Sequence, residues 1–228
     1  MRIAKESTAA QWIATGLHPF ATDVGAIIPE GFEAYARVLH PAYRRTEGGT
    51  RRPVRWRDIM VATGQSMADE LQRFAATDGP TQVTVGGVQL WDEPPACGCA
   101  PLETITRLIA TLGTRTQTPT RCWFAVWEGW GGLDLDDDVQ RAPVVTVPHR
   151  DLRLFEGTVQ EAAHSFDDIV YQSANLWWPD DRAWCVVTEI DFGWTYVGGT
   201  TGCIAALLND PGLEALPTTP AEGNFMER

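Results

Sequence analysis

Three carboxylates stand at the ends of apolar runs in the second half of the chain. Glu189 and Asp191 close "AWCVVTEID", and Glu128 closes "RCWFAVWEG". Side chains alternate along a strand, so an extended 183–191 places Glu189 and Asp191 on one face, about 7 Å apart. Carboxylates at that spacing suit acid–base work, a cation, or the grip of an arginine. The plainer alternative is that the strand leaves the core here, with both acids solvated or paired to Arg150 or Arg182. If the strands at 122–128 and 183–191 were neighbours, Glu128 would join the pair. With Trp127, Trp130 and Trp194 nearby, that cluster would suit a carbohydrate-active hydrolase or a sugar-binding cleft, where indole faces stack on the ring.

The stretch "NLWWPDDRAWCVVTEIDFGWTYVGG", residues 175–199, carries four of the ten tryptophans. Trp177 and Trp178 run into Pro-Asp-Asp-Arg, which reads as a loop. Indoles exposed on a loop mark a recognition surface; indoles that cover a sheet end belong to the core. The recognition reading takes Trp177, Trp178, Trp130 and Trp194 as the contact set, flanked by Arg150 and Arg182.

Other motifs are weaker. "TYVGGTTGCIAALL" is strand, glycines, helix: Gly198 and Gly199 with Thr200 or Thr201 as N-cap would offer N–H groups to an anion, or simply make a tight turn and a cap. Neither the Walker pattern nor GxGxxG is present. "DLDDD" spaces Asp134, Asp136 and Asp138 like the start of a calcium loop, but Val139 and Val145 stand where glycine and glutamate are needed. Cys97 and Cys99 form CxC without a second pair at zinc spacing. No metal site and no cofactor is therefore expected. His149, beside Arg150, is the one histidine close in sequence to a strand of the acidic half.

Helices must position these groups in the first half. "STAAQWIATG" offers a capping box from Thr8 to Gln11. "EGFEAYARVLHP" spaces Phe32, Tyr35, Ala36 and Leu39 as one helical face, stopped by Pro41. "SMADELQRFAA" and "PLETITRLIATLG" repeat the pattern, and "TGCIAALLND" adds a late helix. Strands follow from "TQVTVGGVQLW", a hairpin turning at Gly86-Gly87, and from "RCWFAVWEG", "APVVTVP", "LRLFEG", "AWCVVTEID", "WTYVGG" and an edge strand in "LEALPT". The expectation is an α+β fold, a single domain over 1–228 with a mostly antiparallel sheet, helices concentrated in the N-terminal half, and a flexible tail from about residue 217.

The balance of charge narrows the partners. A net charge of -12 disfavours nucleic acid and anionic membranes, although residues 44–57 carry six arginines, read as a solvated loop or an anion site. No apolar run is long enough to span a membrane. The N-terminus lacks a signal-peptide core, and five irregularly spaced cysteines suit a reducing compartment, so the expected location is cytoplasmic. The expected partner is a protein or a small polar ligand, and binding is favoured over catalysis.

At "PEGFEAYARVLHP", "WWPDDRAWCVVTEID" and "TYVGG" the chain resembles a group of actinobacterial proteins with no assigned activity. That resemblance implies one cytoplasmic domain and supplies no catalytic residue. "IPEGFEAYARVL" is also similar to the proline-plus-helix segment of SUKH-type immunity proteins, which are acidic α+β domains that bind toxins. The glycine-rich acidic strand of that group is missing here.

Overall fold

A computed structural model of the chain describes residues 1–20, 22–76, 84–130 and 141–223. The aspartates of "DLDDD" lie outside the described residues.

The fold is α+β and sheet-dominated. Its strands are β1 (Arg2–Ile3), β2 (Ala34–Leu39), β3 (Ala42–Arg45), β4 (Arg51–Val54), β5 (Thr84–Val85), β6 (Val88–Gln89), β7 (Cys122–Trp127), β8 (Val144–Val147), β9 (Arg150–Gly157), β10 (Leu176–Pro179), β11 (Trp184–Val187), β12 (Trp194–Gly199) and β13 (Ala215–Thr218). The helices are α1 (Gln11–Gly16), α2 (Trp56–Thr63), α3 (Met67–Ala76), α4 (Leu102–Leu112) and α5 (Thr201–Leu208). Nine strands make one antiparallel sheet in the order β1-β9-β7-β10-β11-β12-β2-β13, with β8 beside β1 on the outer edge of β9. Two short hairpins, β3-β4 and β5-β6, stand apart from it.

Both faces of this sheet are covered, which explains why its central strands are apolar throughout rather than alternating. On one face, Phe124, Trp177, Trp184, Val186 and Val197 pack with Ile105 and Leu108 of α4 and Ile204 and Leu207 of α5. On the other, Trp123, Trp178, Val187, Trp194 and Tyr196 meet Ile13 of α1, the 24–28 turn, Trp56 of α2 and Phe74 of α3.

This layering resolves the paired tryptophans. Residues 176–179 form a central strand rather than a loop: Trp177 lies opposite Phe124 and Val186, and Trp178 opposite Trp123. Neighbours on a strand point to opposite faces, so Trp177 anchors the α4–α5 side and Trp178 the α1 side, each 1% exposed. The Pro-Asp-Asp-Arg that follows is the turn into β11. Arg182 adopts a left-handed φ of 55°, and its N–H donates to Pro179 O at 2.9 Å.

The helix expected over 32–39 is a strand. Its helical spacing is real, but Tyr35 and Leu39 serve one face of the sheet and Ala36 and Val38 the other, because β2 pairs with β12 along six residues and with β13 beyond. Long-range pairing outweighs local periodicity here. The proline-plus-helix feature shared with SUKH-type proteins is therefore absent from this segment. The arginine run is also ordered: it builds β3, β4 and the start of α2. Residues 217–222, expected to be loose, are docked. The N–H of Val24 donates to Glu222 O and that of Gly25 to Pro220 O, both at 2.8 Å. Glu222 also meets the buried Arg37 at 2.9 Å.

Other expectations hold. Gly86 and Gly87 take φ of 58° and 81° in the β5-β6 turn, as a two-residue hairpin requires. Thr200 caps α5, accepting from Cys203 N at 3.2 Å. The N–H and hydroxyl of Thr201 both donate to Glu33, so that helix end already holds a carboxylate. Gly198 serves packing instead: a Cβ there would lie 2.5 Å from the Phe32 ring.

Candidate functional site

The sequence-derived residues fall into two separate ion pairs. Arg150 opens β9 and Arg153 lies three residues on, so the two project from opposite faces of the sheet. Arg153 Nη2 holds Glu128 Oε2 at 2.8 Å and donates through Nη1 to Ala142 O at 3.0 Å. Arg150 Nη2 holds Glu189 at 2.9 Å and approaches Asp191 at 3.5 Å. The three-carboxylate cluster is thus not formed: β10 lies between β7 and β11, and Glu128 has its own partner on the far face.

The tryptophan surface is not formed either. Trp177, Trp178 and Trp194 are buried, Trp194 stacking on Phe192 at 4.7 Å. Trp130 is half-buried, edge-on to Trp127 at 5.4 Å, and donates to Asn175 Oδ1 at 3.3 Å. Arg182 is exposed and lies 5.3 Å over the Trp12 ring. These residues hold the structure together and offer no continuous indole patch.

What the structure does bring together is Glu189, Asp191 and Arg150 beside a cavity of about 70 Å³. Ile13, Leu17, Ala26 and Ile27 cover it; Val147, Leu152, Leu176 and Val187 form its sheet-side wall, and Phe20, Pro148 and Ile190 also line it. The polar lining is confined to Arg150, Asn175, Thr188 and Glu189. Asn175 is fully used: its Oδ1 accepts from the N–H of Trp127 and from Trp130, and its Nδ2 donates to Gly98 O and Thr188 O. Arg150 is not. Its Nη1 donates to His149 O at 3.0 Å and its guanidinium lies 5.7 Å over Trp127, yet its buried Nε–H has no acceptor.

Burial pushes the Glu189 carboxyl up from its ordinary value, opposed by the N–H of Asp191 and by Arg150. The turn before Arg150 carries strain. Pro148 and His149 join β8 to β9, and His149 takes a φ of 61° where glycine is the usual residue. Its ring stands 4.3 Å from Phe20. Such backbone strain gathers at binding sites.

The cover is clamped from behind. His18 Nδ1 lies 2.8 Å from Asp23 and its Nε2 2.8 Å from Glu30. The hydrogen bond to Asp23 raises the His18 pKa, against some desolvation. A buried histidine, His40, reaches the cavity wall indirectly. His40 Nδ1 lies 2.7 Å from Ala96 O, an acceptor, so Nδ1 carries the proton and Nε2 accepts from Thr195 at 2.8 Å. Thr195 in turn meets Thr188 at 2.8 Å. Burial holds the His40 pKa down at about 4.

Sequence reading named Arg150, Glu189, Asp191 and His149. It missed Asn175, Thr188, Phe20 and the 24–28 cover, which carry no local signal and meet only in the folded chain. Among the described residues, no group of three His, Cys, Asp or Glu is placed to hold a metal ion, and no helix is long and apolar enough to cross a membrane. No family model, curated protein or solved structure matches the chain.

Proposed function

We propose that the chain is a binding protein for a small amphipathic ligand, which inserts a short branched apolar end beneath α1 and sets an acceptor oxygen on Arg150. The observation that carries this reading is the buried Nε–H without an acceptor on Arg150, a residue that lines an otherwise apolar cavity. An unsatisfied buried donor costs roughly 1–3 kcal/mol, which a ligand acceptor would recover. The guanidinium is already held by Glu189 and Asp191, so binding loses little side-chain entropy. A water takes about 30 Å³, so the cavity admits only a few heavy atoms and the rest of the ligand extends past Phe20 and Ile190. Hydrolysis of a sugar finds less support, since Glu128 lies across the sheet and leaves Glu189 and Asp191 sharing one arginine.

The test is saturation-transfer NMR with isovaleramide and isovalerate as probes. Wild type transfers saturation to at least one of them. Ala26→Leu, which fills the cavity, and the Arg150→Met/Glu189→Gln pair, which removes donor and counter-charge together, both abolish the transfer with the fold retained. Silence from both probes in wild type, or transfer unchanged in the filled variant, rejects the reading.

A further inference from the structure

A second site lies at the other end of the sheet, where an open groove of about 410 Å³ runs between β3-β4, α4 and the loop before β13. Three guanidiniums line it, and each comes from a different element: Arg51 from β4, Arg55 from the N-cap of α2 and Arg107 from α4. From these, the geometry points to a binding site for a small phosphate-bearing anion, gripped by Arg51, Arg55 and Arg107.

Neighbouring groups hold all three arginines in place. The turn Asp210-Pro211-Gly212 works as a bracket for two of them. Asp210 Oδ1 takes Arg107 Nη1 at 2.9 Å, and Pro211 O takes Arg55 Nη2 at 2.7 Å. Arg107 lies flat on Gly212, so close that a Cβ on that glycine would collide with the guanidinium. Arg51 rests 4.1 Å over the Tyr43 ring and reaches Glu93 and Glu103 only loosely, at 3.4 and 3.7 Å.

A guanidinium carries five N–H donors, so these contacts position the three cations and leave most of their donors for a ligand. The groove's carboxylates are already engaged. Glu214 caps α2 through the N–H groups of Trp56 and Arg57. Glu103 accepts from Tyr43, and Asp210 is shared by Arg107 and the N–H of Gly212. Planar forks of this kind match the oxygens of phosphate better than a point charge does. The exposed setting predicts binding that weakens with salt.

Calorimetric titration with inorganic pyrophosphate tests the site. Wild type is expected to bind, with affinity falling as salt rises. Gly212→Ala is the discriminating variant: it changes no charge and meets only the flexible end of Arg107, so the fold survives while that guanidinium is displaced. It should bind about tenfold more weakly, and Arg55→Gln should lose a similar factor. Thermal melts of both variants confirm folding. No heat from pyrophosphate in wild type overturns the proposal, as does a Gly212→Ala variant that binds like wild type.

Discussion

Residues whose types advertise chemistry serve different ends in this chain according to which face of the sheet they meet. Trp177 and Trp178 look like a matched recognition pair in sequence, yet one turns toward α4 and α5 and the other toward α1. Each stands in a tightly packed interior, where a large-to-small change loses both transfer energy and packing. Trp178→Ala is therefore expected to destabilise the fold by about 3–5 kcal/mol, read as a lowered midpoint in denaturant. A cost under about 1 kcal/mol, ordinary for an exposed side chain, would contradict its place in the core. Arg150 shows the reverse. Sequence suggested an ion pair, and the pair exists, but the proposed binding role rests on the Nε–H, which neither the pair nor His149 O engages.

Elements are tied at their ends by buried polar links that local pattern does not reveal. His40 follows β2, Thr195 lies in β12 and Thr188 follows β11, so the His40–Thr195–Thr188 chain joins three adjacent strands. His40 is buried and neutral, with its pKa lowered by desolvation to about 4, against an unfolded value near 6.5. Between those two values the unfolded chain binds more protons, so this contribution to stability is complete above pH 6.5. It is lost as pH falls toward 4, by roughly 3 kcal/mol in total. Denaturation of wild type and His40→Asn at a series of pH values isolates the effect. The difference between them should shrink on acidification, and a difference independent of pH would contradict it.

Over the whole molecule, residues 217–222 brace the 24–28 turn that covers the cavity. The segment 217–222 crosses β2, where Glu222 meets Arg37 at 2.9 Å and accepts from Thr218 at 2.6 Å. Its backbone then holds Val24 and Gly25, immediately before the Ala26 and Ile27 that cover the cavity. Removing residues 217–228 strips Arg37 of this carboxylate and the cover of its support. Arg37 is buried but Glu222 is half-exposed, so losing this charged hydrogen bond costs on the order of 1.5–3 kcal/mol, which for a chain of this size lowers the melting point by about 5 °C. Hydrogen exchange at residues 24–28 should rise in the shortened chain more than exchange in β7 does. Equal protection in both regions would show that the tail does not brace the cover.

Much of the architecture was legible in sequence because its signals are local. The stripe of α4, the Gly86-Gly87 turn, the cap of α5 and the apolar runs of β7 and β9 each depend on neighbours a few residues away. The α+β class follows from their sum. What sequence alone could not decide was pairing. Residues 34–39 satisfy a helical period and a strand equally well, and contact with β12 across some 160 residues made them a strand. The same holds for the site. Glu128, Glu189 and Asp191 share a type and a position at strand ends; β10 stands between their strands, and the pleat turns Glu128 to the face opposite Glu189. The cavity needs α1, the 24–28 turn, four strands and the C-terminal segment at once. The proposed binding chemistry rests on the Arg150 Nε–H that burial leaves without an acceptor, a property of the assembled interior that no residue carries by itself.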